Sequence, residues 1–327
     1  MRRDIGPMRI VQANASWLTV ASAAGLTYQA STSASDGVLE QFFAAYDNAF
    51  VLPNEKEGLS GFADCLALNW GRHYHRLVGQ FGPFREFVVL VRGAGATVVG
   101  GLNFVAFPLH DPDGGEPLLS LNLNYIFVQP AHRRRGLLKT LIGDLPALVL
   151  ALFAHTNPGD MPAAAGSLRA QLPVHIFIEQ NDPYRMGGED YERDTAATGL
   201  DQLARIALWA RQGAKIIDFP YVQPALTADQ EADHNLAYAV LGTKTPTLHP
   251  SLLRQHLERF FAISVLKGCT LEGNAEADAQ LVQLAKLAAA GTRVRLFEIA
   301  DPAKLPKPAA AVSAGGVVTL RSVLTAL

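Results

Sequence analysis

Tyr125-Ile126-Phe127-Val128-Gln129-Pro130-Ala131-His132-Arg133-Arg134-Arg135-Gly136-Leu137-Leu138-Lys139-Thr140-Leu141 changes character twice. It begins as an apolar strand, passes through a basic turn and ends in helical apolar spacing. A helix start exposes N–H groups that have no intrahelical partner, together with a partial positive charge. Three arginines placed there make an anion site, and Gly136 lets the backbone come close to a ligand. A phosphate or pyrophosphate suits such a site best.

Two common phosphate motifs are excluded. GxxxxGK[ST] occurs nowhere in the chain. A dinucleotide turn would need two further glycines after Gly136, and the Gly93-Ala94-Gly95 turn has Val98 where its third glycine would stand.

Outward from this stretch, the pattern predicts a helix from Asp36 through Leu39, Phe42, Phe43 and Tyr46, broken at Pro53-Asn54, and a second through Leu59, Phe62, Leu66 and Leu68. Phe87–Val91, Val98–Phe107 and Leu118–Val128 read as a three-strand antiparallel meander, turning at Gly93–Ala96 and Asp111–Glu116. A helix over about Arg134–Phe153 follows, with a kink or break expected at Pro146. His155–Gln171 reads as loop, Val174–Glu179 as a buried strand and Asn181–Thr198 as a polar insertion. Leu200–Gln212 is a helix ended by Gly213, and Ala214–Asp218 and Leu236–Leu241 are strands. Two amphipathic helices, Ser251–Leu266 and Glu276–Ala290, precede a strand at Arg293–Glu298, and the last thirty residues look weakly ordered. Two βα units after an antiparallel meander argue for α+β rather than a doubly wound sheet.

Val128, Pro130, Arg133 and Gly136 fall on motif A of the GCN5-related N-acetyltransferases, approximately V-x-P-x-x-R/Q-x-x-G-x-G/A, and this stretch resembles it. Leu138 departs from the Gly or Ala usual at its end. The element order over Asp36–Gly242 is similar to that family's. Its later motif of strand, Asn, Ala-rich helix with Tyr, then Gly-Phe resembles Glu179-Gln180-Asn181, Ala207-Leu208-Trp209 and Gly213-Ala214, with Trp209 where Tyr is common. Phe219-Pro220-Tyr221-Val222-Gln223-Pro224 resembles a pattern in bacterial members.

The resemblance implies a GNAT-like mixed, mainly antiparallel sheet flanked by helices over residues 36–243. Residues 1–35, rich in Ala, Ser and Thr, would be an N-terminal lead-in, with Ile10–Val11 and Leu18–Val20 as candidate short edge strands and the rest irregular, and 244–327 a helical C-terminal extension. It implies acetyl-CoA as co-substrate, its pyrophosphate cradled by the backbone amides of Arg133, Arg134, Arg135, Gly136, Leu137 and Leu138. Phe127 and Val128 would pair with the pantetheine arm as a further strand would, and Asn181 would be a further cofactor contact.

Acylating an amine needs a base for the amine proton, and it gains from donors to the oxyanion and an acid for the thiolate. His175, Phe177 and Glu179 share one face of their strand, and Glu179 stands at its C-terminal end, where the family holds the thioester. Glu179 is the first candidate base; the alternative is a carboxylate paired to Arg185 or Arg193. His175 reads as a satisfied core histidine. Tyr221 follows the sixth strand of the family order, which the resemblance places beside the fifth, and is the candidate to replace the Tyr missing at Trp209; Tyr184 and Tyr191 compete with it. Asn122 and Asn124 on one strand face, and Glu55 and Glu57 in the helix break, are candidates for the acceptor side. His73 and His75 lack a third ligand, so no metal is expected.

Composition sets the outer limits. Of 327 residues, 49% are apolar and 18% charged, which excludes a disordered chain. A net charge of −2 gives no global attraction to nucleic acid or anionic lipid, and three arginines without interleaved aromatics make a poor nucleic-acid face. The longest apolar run, Leu145–Ala154, is half a membrane span. Arg2 and Arg3 ahead of Trp17–Leu26 imitate a signal peptide, but Asp4 and the polar Gln12–Ser16 break it. Cys65 and Cys269 form no ligand pair and read as buried thiols of a reducing compartment, and neither adjoins the motif to serve as a nucleophile. The expectation is a cytoplasmic monomer or homodimer that moves an acetyl group to a small-molecule or peptide amine, with no nucleic-acid or membrane partner. The alternative is a catalytically silent acyl-CoA-binding or regulatory module.

Overall fold

The computed structural model has three strands before the first helix, β1 (Arg9–Ala13), β2 (Trp17–Ala21) and β3 (Thr27–Ser31): the first two contain the edge strands expected at Ile10–Val11 and Leu18–Val20, and the third stands in place of irregular lead-in. They form an antiparallel meander. In β2 only Leu18 and Val20 are buried, the alternation of a strand with one covered face. The third, Thr27-Tyr28-Gln29-Ala30-Ser31, carries too few apolar side chains to announce itself. The structure describes residues 8–50, 56–161, 172–225, 230–308 and 318–327. Arg2, Arg3, Asp4, Pro53, Asn54 and Glu55 lie outside these, as do residues 162–171 of the expected loop.

The chain divides into two units, one of residues up to His110 with Pro117–Val174, the other of Asp111–Glu116 with the residues from His175 on. In the first unit the meander continues into helices α1 (Val38–Ala49), α2 (Leu59–Ala67) and α3 (Gly71–Phe81). The Asp36 carboxylate accepts from the Val38 N–H at 3.1 Å, so it does serve the start of α1. The helix α3 was not expected. Its sequence is mostly polar and it buries only Leu77. Strands β4 (Arg85–Arg92), β5 (Val98–His110) and β6 (Pro117–Val128) then form the expected meander. The sheet order is β1-β2-β3-β4-β5-β6, every pair antiparallel.

Helix α4 (Leu137–Thr156) follows and runs on through Pro146. It is long and apolar enough to cross a membrane by composition, yet Leu141, Leu145, Leu148, Leu152 and Phe153 are buried, and Asp144 accepts from the buried Tyr28 hydroxyl at 2.7 Å.

An aromatic cluster joins α1 and α2 to the sheet: Phe42 and Tyr46 pack on Phe127, Phe62 packs edge-on against Phe42 and Tyr46, and Tyr125 lies against Tyr46 at 5.0 Å. Each buried ring contributes about 2–3 kcal/mol of transfer free energy. Gly100 faces this strand end, where a β-carbon would lie 2.3 Å from the Phe127 carbonyl oxygen.

The second unit holds β7 (Val174–Asn181), α5 (Gly188–Thr198), α6 (Gln202–Arg211), β8 (Lys215–Ile217) and β9 (Leu236–Leu241). It continues with β10 (Thr247–Leu248), α7 (Pro250–Phe260), α8 (Ala275–Ala289), β11 (Val294–Glu298) and α9 (Leu320–Ala326). The polar insertion therefore contains a helix, and the last thirty residues include one that is capped at Thr319. Strands run β7-β9-β8-β11-β10, again with antiparallel pairs. Strand β11 thus widens the sheet beyond the range expected to be the core domain. The fold is α+β, a mainly antiparallel sheet with flanking helices, in the element order that the resemblance implies.

Candidate functional site

The basic turn lies in the first unit, between β6 and α4. Pro130–His132 form a single 3-10 turn. Arg134 then takes φ 62° and Gly136 φ 76°, both left-handed, and no side chain caps the start of α4. A β-carbon on Gly136 would meet nothing within 4 Å, so the space over the turn is open. Arg133, Arg134 and Arg135 are exposed, and Leu137 and Leu138 are half-buried.

The cradle residues are not alike. The Arg133 N–H bonds within the turn, to the Pro130 carbonyl at 3.3 Å. Its guanidinium donates to the carbonyls of Val128 and Ala49, each at 3.2 Å, and so ties the end of β6 to the C-terminus of α1. Phe127 has its side chain in the aromatic core, which leaves only its backbone for a ligand. Val128 is half-buried at the strand end. Gln129, buried, accepts from Asn48 at 2.6 Å and donates to the Ala45 carbonyl at 2.5 Å. Beside the turn a groove of about 520 Å³ runs between Gln41, Ala45 and Asn48 of α1 and Gln129, Ala131 and His132.

Asn122 and Asn124 belong to a polar cluster in the same unit. Asn122 donates to Asn124 at 2.9 Å, and Asn124 donates to Asn103 at 3.1 Å and to Glu86 at 3.3 Å. Asn103 donates to Glu86 at 2.7 Å. The register slips between Asn103 and Phe104, so Asn124 is the extra residue of a β-bulge. Glu86, 1% exposed, was missed by sequence reasoning because a single carboxylate in an apolar strand has no signature of its own. Glu57 sits at the helix break, its N–H bonded to the Tyr46 hydroxyl at 2.8 Å.

In the second unit the structure brings Glu179 and Tyr221 together: the Tyr221 hydroxyl donates to the Glu179 carboxylate. Burial pushes the Glu179 carboxyl up to about 7, against the lowering effect of that hydrogen bond, and the Asp233 carboxylate adds to the rise. Burial, and then the Glu179 charge, raise the Tyr221 hydroxyl well above its ordinary value. Tyr238 stands opposite Glu179 in the β7–β9 register. Its ring stacks on Tyr221 at 4.3 Å and 10°, and its hydroxyl lies 2.8 Å from Nε2 of His256.

The route by which Tyr221 arrives differs from the expectation. Strand β8 does not adjoin β7, because β9 lies between them in the sheet order. Tyr221 is four residues beyond β8 and reaches Glu179 across the Tyr238 ring.

The competing residues are engaged elsewhere. Arg185 donates to Asn235 at 3.4 Å and Arg193 pairs with Asp190 at 3.2 Å, so neither of these contacts is with Glu179. Tyr184 donates to the Pro306 carbonyl at 2.8 Å and Tyr191 to Asp201 at 2.6 Å. Asp182 accepts from the amides of Tyr184 and Leu320. Asn181 ends β7 opposite Leu236. Trp209 is buried in α6. His175 is buried, but its Nδ1 has no partner among the described residues, so it is not the satisfied core residue expected; burial lowers its proton affinity, against the opposing pull of Asp111. Cys65 is buried, whereas Cys269 is exposed, contrary to expectation. Among the described residues no group of three or more His, Cys, Asp or Glu is placed to hold a metal.

No protein-family profile matches the sequence, and no curated protein does. Among solved structures, the chain is similar to the ribosomal-protein-S18-alanine N-acetyltransferase from Escherichia coli, at 16% identity over 65% of this chain and 92% of that one, with TM-score 0.31. It is also similar to a spermidine/spermine N-acetyltransferase from Vibrio cholerae, at 13% identity, 67% and 92% coverage and TM-score 0.30. An aminoglycoside acetyltransferase from an uncultured soil metagenomic sample matches at 20% identity, 53% and 89% coverage and TM-score 0.26.

Proposed function

We propose that the chain is an acyl-CoA-dependent N-acyltransferase that moves the acetyl group of acetyl-CoA to a primary amine by direct attack in a ternary complex. The observation that carries this reading is the Glu179–Tyr221 pair, a strand-end carboxyl raised to about 7 and bonded to a buried phenol. A carboxyl in that range is half ionised near neutral pH and can both take and return a proton. The basic turn supports the reading by supplying what a pyrophosphate needs: amides at the start of α4 that no side chain caps, exposed arginines and open space over Gly136.

In the proposed reaction the amine nitrogen attacks the thioester carbon. Its proton passes to the Glu179 carboxylate, directly or through water, and the C–S bond breaks to release the CoA thiolate, which takes up a proton. Tyr221 donates its hydroxyl hydrogen to Glu179, so its part is to hold the carboxylate and set its basicity. The acceptor is a small-molecule or peptide amine, and the enzyme works in the cytoplasm as a monomer or homodimer.

Acetyl-CoA consumption measured against a panel of amines, amino acids and peptides tests the reading. Glu179→Gln keeps the shape and removes the base, so turnover on any accepted amine should fall by roughly 10²-fold, with CoA affinity within a few-fold of wild type. CoA binding without turnover on any amine would instead identify a silent acyl-CoA-binding module.

A further inference from the structure

Tyr221 lies in an irregular segment, and besides its bonds to Glu179 and to the Phe219 carbonyl the contacts around it come from later in the chain. The Val222 N–H donates to Oε1 of Gln280 at 3.0 Å, and Nε2 of Gln280 donates back to the Val222 carbonyl at 2.8 Å. One buried carboxamide on α8 thus gives Val222 both of the bonds that a strand partner would supply. On the other side of the Tyr221 ring, Tyr238 is fixed by its 2.8 Å contact with His256 of α7. The His256 ring stacks on Phe177 at 3.8 Å and lies near Phe260 at 6.3 Å. Beyond α7 the chain winds into one π-helical turn, Phe261–Val265, which brings Phe261 to 6.1 Å from Tyr221.

We infer that Gln280 and His256 are positioning residues for the Glu179–Tyr221 pair: Gln280 fixes the backbone beside Tyr221, and His256 fixes the ring on which Tyr221 stacks. The segment after β9 is then part of the machinery of the site and not an appendage to it. The inference rests on the reading of Glu179 as the base.

The groups that face Glu179 are the hydroxyls of Tyr221 and Tyr238 and the carboxylate of Asp233; His256 has Arg259 and His175 as its charged or titratable neighbours. The bond from Tyr221 holds the carboxyl down against burial. A loosened Tyr221 therefore lets the Glu179 midpoint climb.

Infrared difference titration of the full chain reads that midpoint without any turnover, from the protonated carboxyl band that Glu179→Gln removes. Tyr221→Phe should raise the midpoint by about one pH unit, the scale of one lost hydrogen bond to a charged group. Gln280→Met, of similar volume and without the carboxamide, should move it in the same direction. In the Tyr221→Phe background Gln280→Met should add nothing, a non-additivity that a merely structural role would not produce. His256→Phe keeps the stacking and should raise the midpoint by less. A wild-type midpoint in folded Gln280→Met, or in His256→Phe if the former does not fold, overturns the inference, as does full additivity with Tyr221→Phe. Failure to acylate any amine would sink the acyltransferase reading while leaving this titration interpretable.

Discussion

The turn after β6 places three arginines and a glycine in four consecutive residues and leaves them exposed; the cluster at Glu179 gathers its groups from β7, the segment after β8, β9 and α7, buries Tyr221, Tyr238 and His256 and half-buries Glu179. On the proposed function the first binds through backbone and local charge, and its parts are contiguous and hydrated, while the second works through proton affinity, which only burial and long-range neighbours can shift far. A binding turn of this kind tolerates side-chain change as long as the backbone path and the charge survive. A buried proton site tolerates little, because every partner sets the affinity of the others.

The largest expected effect tests the first half of that contrast. At φ 76° with open space around it, Gly136 accepts Ala at the cost of a left-handed conformation, about 1 kcal/mol. Asp tolerates that conformation better than Ala but sets a negative charge over the amides. Isothermal titration should show CoA binding weakened a few-fold at most by Gly136→Ala and by roughly 10²-fold or more by Gly136→Asp, since the charge, not the backbone strain, is decisive at a helix N-terminus. Equal losses in the two variants would make the turn a matter of backbone shape alone.

What could be read from the sequence follows the same division. The turn, the meander and the C-terminal helices were legible because each is local: Val88–Val91 is β-branched or apolar without interruption, and Gly136 follows three arginines. Glu179 and Tyr221 were each legible as candidates from strand-end position and from the resemblance, but the strand before Tyr221 was expected beside that of Glu179, where β9 stands instead. Gln280, Glu86 and His256 gave no signal, because a Gln on an amphipathic helix or a Glu in an apolar strand becomes meaningful only when distant backbone is placed against it. Strand β3 was obscured for a different reason: five residues of mostly small or polar side chains show little periodicity.

A stability effect of intermediate size comes from packing at the strand end that leads into the turn. A β-carbon at Gly100 would lie 2.3 Å from the Phe127 carbonyl oxygen, a backbone atom of a strand already packed against the aromatic cluster. Gly100→Ala should therefore destabilise the first unit by about 3 kcal/mol, the cost of overpacking a rigid site, read by urea denaturation. A neutral Gly100→Ala would mean that β5 and β6 can shift apart freely, and that the turn is held by less than the geometry shows.

Glu179 gives the next effect, and its sign depends on pH. Its folded midpoint of about 7 lies above the usual 4.5, so the folded state binds the proton more tightly than the unfolded one. The contribution is fully present below pH 4.5 and is lost as pH rises through about 7. Glu179→Gln removes the ionisation, so it should be more stable than wild type at pH 8 by about 3 kcal/mol, with the advantage shrinking to nothing towards pH 4.5. Thermal unfolding at the two pH values checks this, and a difference independent of pH would place the Glu179 carboxyl in contact with solvent.

Arg133 gives the smallest effect and the sharpest test of how the turn divides its labour. Its guanidinium is exposed, yet it donates to the Val128 and Ala49 carbonyls, the second at the C-terminal end of α1. A cation there is favoured by the helix dipole, and each bond to a carbonyl is worth a modest amount in water. Arg133→Ala should therefore lower stability by about 1 kcal/mol, with added salt eroding the wild-type advantage, since screening weakens the dipole contribution. Arg134 and Arg135 have no such attachment to α1 in the geometry described, and their charges stand over the open space beside Gly136. Replacing either by Ala should leave stability within about 0.5 kcal/mol of wild type, the usual range for surface positions, while costing more CoA affinity than Arg133→Ala does. If Arg133→Ala instead weakened CoA most and left unfolding unchanged, its guanidinium would have to leave the two carbonyls to meet the phosphate, and the turn would be a moving clasp and not a fixed cradle.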